Sequence, residues 1–243
     1  MASKGQILVA LDTTDIDIAV AQARAVSGAA GGIKIGLEFF LANGPLGYRR
    51  VSAGGSPIFL DLKFHDIPNT VAGAMRAVTP LGPAIVNVHA AGGKAMMQAA
   101  RDAAAETADK LGIRRPKVIA VTVLTSLDDG DLQAVGQATP TSDQVRRLAK
   151  LTKESGLDGV VCSPREIELL RRDLGGDFLL VTPGIRPHWS QIDGPQGKDQ
   201  KRVMTPAEAA KAGADYLVIG RPITGHADPA KAVRMTAAEI DAG

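Results

Sequence analysis

The chain has 243 residues, 45% of them hydrophobic, which is enough for one sizeable core and predicts a single catalytic domain over residues 1–243. Its 28 basic and 26 acidic residues leave a formal net charge of +2 and are spread along the chain, and aromatic residues make up 3%, so neither the basic block nor the stacking platforms of a nucleic-acid binder are present. A single cysteine, Cys162, excludes an intramolecular disulfide and a CxxC metal cluster; with no signal-like apolar core and no bilayer-length apolar run, the expectation is a soluble cytoplasmic protein without membrane contact.

In chain order, apolar runs at Ile7–Asp12, Gly32–Leu37, Pro57–Lys63, Ala84–His89, Val118–Leu124, Gly159–Cys162, Phe178–Thr182 and Tyr216–Gly220 read as strands. Helix-compatible stretches lie between them at Ile16–Gly28, Asn69–Val78, Lys94–Leu111, Thr141–Ser155, Pro164–Leu174 and Pro206–Ala212. Asp15, Ser163 and Thr205 precede three of these as capping residues. Such alternation predicts an α/β fold, a single (β/α)8 barrel, over a doubly wound sheet, because no GxGxxG follows the first strand. The stretch Pro187–Val203, rich in Gly, Pro, Asp and Gln, reads as a long mobile loop of the kind barrel enzymes keep as a lid.

The third strand carries the strongest chemical signal, because Asp61-Leu62-Lys63-Phe64-His65-Asp66 places charges at the end of an apolar run. Side chains alternate faces with period two, so Asp61 and Lys63 point the same way while Ile58, Leu60 and Leu62 face the helices. Buried charges of this kind either pair or do chemistry. Barrel active sites lie at the C-terminal strand ends, where polar residues recur in this sequence. Asp12 ends the first strand, Lys34 lies in the second, Asn87 and His89 share a face of the fourth, and Thr125 follows the fifth. Pro183-Gly184-Ile185-Arg186 follows the seventh and Gly220-Arg221 closes the eighth, where barrels bind phosphate. There Gly220 lets a backbone N–H approach an oxyanion, and Arg221 offers a bidentate fork. His89 reads either as a site residue or as a hydrogen-bonded barrel filler.

The run Phe59-Leu60-Asp61-Leu62-Lys63-Phe64-His65-Asp66-Ile67-Pro68-Asn69-Thr70 closely resembles the DxKxxDI(P)xT signature of the orotidine 5'-phosphate decarboxylase family. Ala10-Leu11-Asp12, Lys34-Ile35-Gly36, Asn87-Val88-His89-Ala90, Val123-Leu124-Thr125-Ser126, Thr182-Pro183-Gly184-Ile185-Arg186, Asp199-Gln200-Lys201-Arg202 and Val218-Ile219-Gly220-Arg221-Pro222 extend the likeness, in order, over nearly the whole chain. The resemblance implies cofactor-independent decarboxylation of a nucleotide substrate, orotidine 5'-phosphate, to UMP and CO2, the last step of UMP synthesis. It also implies that Lys34, Asp61, Lys63 and Asp66 form the charged network beside C6, with Lys63 protonating that carbon. By the same resemblance the protein is a homodimer in which Asp66 and Thr70 reach the site across the interface. Asp12 and Lys34 would then hold ribose hydroxyls and Thr125 the pyrimidine edge, with Pro183 in the apolar wall and Gln200, Arg221 and Arg186 on the phosphate. The loop between Arg186 and Gln200 is several residues longer than in common bacterial members, and Gln200 matches the phosphate glutamine better than Gln196 does.

Two other readings compete. Metal-dependent relatives in the same barrel group, such as 3-keto-gulonate 6-phosphate decarboxylases and hexulose phosphate synthases, share the DxKxxD core but carry a glutamate metal ligand in place of Lys34. Here the Lys34-Ile35-Gly36 run points to no metal. A non-catalytic phosphate-sugar sensor is expected to lack some of the four charged residues, and all four are present.

Overall fold

The computed structural model describes residues 3–190 and 204–243. Eight parallel strands close into a barrel in sequence order: β1 (Ile7–Leu11), β2 (Gly32–Gly36), β3 (Ile58–Phe64), β4 (Ile85–His89), β5 (Lys117–Val121), β6 (Gly159–Val161), β7 (Leu179–Thr182) and β8 (Tyr216–Ile219). Pairing of β1 with β8 completes the ring, so the fold is the (β/α)8 barrel expected. Alternation divides each strand between two cores. Leu8, Ala10, Phe59, Ile119 and Val218 pack inside the barrel, whereas Ile7, Val9, Leu11, Ile58 and Leu60 pack outward against the helices.

The helices are α1 (Ile16–Val26), α2 (Leu37–Ser52), α3 (Pro68–Val78), α4 (Gly93–Leu111), α5 (Asp129–Ala134), α6 (Thr141–Glu154), α7 (Ile167–Leu174), α8 (Pro206–Ala212), α9 (Arg221–Thr224) and α10 (Pro229–Ala242). Asp15 accepts hydrogen bonds from the Asp17 and Ile18 amides at the start of α1. Ser163 and Thr205 form reciprocal capping boxes with Glu166 and Glu208. All three caps therefore do what their residue types suggest. The pattern leaves Leu37–Ser52 unassigned because Gly44-Pro45 interrupts it; the chain kinks there, with Gly44 at φ 58°, and turns helical again. Asn43, just before the kink, donates 2.9 Å to the Thr14 carbonyl, holding the first half of α2 beside the loop that follows β1.

After β7 a parallel bridge joins Ile185 to Met204, bringing together the two ends of the long segment between them. His188–Ser190 forms a single 3-10 turn; the remainder of the expected lid, residues 191–203, lies outside the described residues.

Candidate active site

Four charged side chains meet toward the C-terminal mouth of the barrel: Asp12 from just past β1, Lys34 from the middle of β2, and Asp61 and Lys63 from the second half of β3. Lys34 Nζ stands 3.2 Å from Asp12 Oδ1 and 3.5 Å from Asp61 Oδ2. Lys63 Nζ donates 2.7 Å to the other Asp61 oxygen. The result is an alternating chain, Asp12–Lys34–Asp61–Lys63, spanning β1 to β3. Gly36 leaves the space it needs, since a Cβ there would stand 3.1 Å from Lys34 Nζ.

Asp61 is 7% exposed, and burial alone pushes its carboxyl up. The Lys34 and Lys63 charges, with hydrogen bonds from Lys63 and Asn87, outweigh that push and hold it below the usual carboxylate range. The site therefore keeps a buried carboxylate ionised between two ammonium groups.

Alternation predicts the shared direction of Asp61 and Lys63, but the backbone between them is not a regular strand. Leu60 pairs with Val86 and Phe64 with Val88, so Asp61, Leu62 and Lys63 together face the single residue Asn87. β3 bulges here, and Lys63 takes φ 52°, the one positive φ of a non-glycine residue among the described residues. Asp61 and Lys63 do meet, as the 2.7 Å contact shows, across an irregular backbone and not a regular strand.

Asn87 has a place in the rim pattern but no role in the sequence reading. The structure gives it two partners: Nδ2 donates 2.7 Å to Asp61 Oδ1, and Oδ1 accepts the Lys63 backbone N–H at 2.8 Å. Its shared face with His89 was the available signal; its partners depend on the β3–β4 register, which a sequence does not state. His89 is half-buried, its ring 5.4 Å from that of His65. Burial, then His65 and Lys63, lower its pKa, with Asp61 pulling the other way.

The remaining predicted residues are placed less directly. Thr125 and Pro183 are half-buried just beyond β5 and β7. Arg186 is fixed through its backbone, which donates to the Met204 carbonyl at 3.0 Å. Gly220 caps α9, and a Cβ there would stand 3.5 Å from Asp12 Oδ2, so the β8 end adjoins the charged chain; Arg221 is exposed as the first residue of α9. Asp66 is exposed in the β3–α3 turn and Thr70 in the first turn of α3, and the Asp66 carboxylate accepts its neighbour Ile67's N–H at 2.6 Å. Gln196 and Gln200 lie outside the described residues. Cys162 is a fully buried core residue whose thiol burial pushes up to about 12. Among the described residues, no cluster of three His, Cys, Asp or Glu is arranged to hold a metal ion, and no helix is long and apolar enough to cross a membrane.

Comparison with known proteins places the whole chain among relatives of one name. A protein of Rhodospirillum rubrum named orotidine 5'-phosphate decarboxylase is 61% identical over 239 residues, covering 98% of this chain and 95% of its own. One of the same name from Paramagnetospirillum magneticum is 56% identical over 96% of this chain and 97% of its own. The crystal structure of orotidine 5'-phosphate decarboxylase from Lactobacillus acidophilus superimposes with a TM-score of 0.82 at 36% identity, covering 97% of this chain and 98% of that one. The sequence profile of the orotidine 5'-phosphate decarboxylase / HUMPS family matches residues 5–236, and the chain belongs to that family.

Proposed function

We propose that the chain decarboxylates orotidine 5'-phosphate to UMP and CO2, the last step of UMP synthesis, without a cofactor. The carrying observation is the ammonium at position 34 within the Asp12–Lys34–Asp61–Lys63 chain. The metal-dependent members of the group would need a carboxylate ligand there, and a lysine beside Asp12 and Asp61 neutralises the two acids a cation would otherwise use.

Breaking the bond between C6 and the carboxylate leaves an electron pair on C6 with no cofactor to delocalise it. Electrostatics must supply the stabilisation. Lys63 supplies the positive charge, donates a proton from Nζ to C6, and recovers one from solvent. Asp61, held ionised, is placed against the substrate carboxylate, and the repulsion between them ends as neutral CO2 departs. Asp12 and Lys34 suit ribose hydroxyls, Thr125 the pyrimidine edge, and Pro183 the apolar wall. The loops after β7 and β8 suit the phosphate, with Arg186, Gly220 and Arg221 as its ligands and Gln200 joining them from the long loop. We take residues 1–243 as one catalytic domain working in the cytoplasm.

The working unit in this reading is a homodimer. Asp66 and Thr70 are exposed in one chain and would complete the partner's site. Ile67 beside Asp66 is 67% exposed, and Leu41 and Leu46 on α2 are 78% and 79% exposed, which is apolar surface that a second copy would cover.

Incubating the purified protein with orotidine 5'-phosphate while following ultraviolet absorbance tests the reading. The expected result is conversion to UMP at a rate unchanged by exhaustive EDTA treatment. Absence of turnover would remove the proposal, and activity lost to EDTA and restored by Mg²⁺ would move the chain to the metal-dependent relatives.

A further inference from the structure

We propose that Asn87 is the positioning residue of the charged chain, its one amide fixing the Lys63 backbone and the Asp61 carboxylate together and so setting where the Lys63 ammonium stands. Its effect on turnover rests on the decarboxylase reading.

Asn87 is 0% exposed on the inner face of β4. At the bulge, the Lys63 N–H accordingly meets a side-chain oxygen at 2.8 Å, where a regular ladder would offer a carbonyl. A lysine at φ 52° persists only where its surroundings over-determine it. The same amide donates to Asp61 Oδ1, the oxygen that also receives Lys63 Nζ, while Asp61 Oδ2 faces Lys34. Lys63 is thus held at both ends, its backbone by Asn87 and its ammonium by a carboxylate that Asn87 orients. The position needs a short side chain with one acceptor and one donor, which an amide supplies. Aspartate keeps the acceptor but sets a second carboxylate against Asp61, and leucine keeps the approximate volume but neither bond.

The test begins with parental turnover of orotidine 5'-phosphate. If the parent is inactive the decarboxylase reading falls, and hydrogen exchange at the Lys63 amide decides the coupling by itself. In N87L that amide should lose protection relative to the Leu60 amide in the same strand. With an active parent, N87L should lower kcat on the order of 100-fold while KM and UMP affinity stay within about threefold, because the reacting group is displaced and the ribose and phosphate contacts remain. N87D is the variant of safer folding. It should keep Lys63 amide protection, lower kcat, and move the acid limb of the kcat–pH profile upward, because two facing carboxylates share a proton. The proposal is overturned if the Lys63 amide stays protected in N87L, or if N87L keeps kcat within about threefold of the parent. It is also overturned if activity and UMP binding fall together with the folded fraction, or if the N87D profile does not move.

Discussion

Lys63 combines chemistry and strain, and the two can be separated experimentally. In the proposed reaction its ammonium is the proton donor, a role typically worth about 10² to 10⁴ in rate, so Lys63→Ala and Lys63→Gly should both lose at least that much turnover. They should differ in stability: glycine adopts φ 52° without the Cβ clash, so Lys63→Gly should unfold about 1 kcal/mol later than Lys63→Ala in denaturant titrations. Equal stabilities would show that the positive φ relaxes once the lysine is gone. His89 offers a second test, in pH. Burial first, then the positive charges of His65 and Lys63, keep its folded pKa below the ordinary 6.5. Below 6.5 the unfolded chain takes up a proton that the folded chain refuses. His89 thus contributes stability fully above that pH, and the contribution is lost as pH falls through the window between 6.5 and the folded value. His89→Gln should flatten the dependence of unfolding free energy on pH just below 6.5, and an unaltered slope would assign it to other groups.

Elements whose residues agree with one periodicity were readable, and those that depend on a neighbour were not. Each observed strand overlaps its predicted run, because apolar stretches between capped helices have few other folds. α2 was hidden by Gly44-Pro45, which reads as a terminator yet here only bends the helix. The β3 bulge was hidden because two-residue alternation predicts the same direction for Lys63 as the bulge does, by a different backbone path. After β8, position alone carries the reading of Gly220 and Arg221 as phosphate ligands, and the structure sets Arg221 on the first turn of α9 with Gly220 as its cap. Arg221→Ala should therefore raise KM for orotidine 5'-phosphate and also lower kcat, because phosphate binding energy can be spent on ordering the site. An analogue lacking the phosphate should be affected far less. Equal losses on both substrates would show that Arg221 supports the fold or the base site.

At the scale of the whole molecule, the charged network of one chain stops at Lys63, and the fourth predicted member, Asp66, lies beyond the strand end with its carboxylate on its own Ile67 amide. In the proposed homodimer the exposed Ile67, Leu41 and Leu46 would lie in the two-fold contact, where burying such side chains is worth roughly 1.5–3 kcal/mol each. If Asp66 serves the partner's site, a heterodimer of Lys63→Ala and Asp66→Ala subunits has one site lacking both residues and one lacking neither. Each variant alone should be nearly inactive. Unfolding and refolding an equal mixture gives half heterodimers by random pairing, each with one of its two sites whole, so activity should recover to about a quarter of the parent. If Asp66 serves its own subunit, each site in the mixture lacks one residue, and recovery should not exceed the residual rates of the separate variants. Measuring the mixture with subunit exchange confirmed by mass spectrometry decides between the two, and recovery at the residual level would place Asp66 in the site of its own chain.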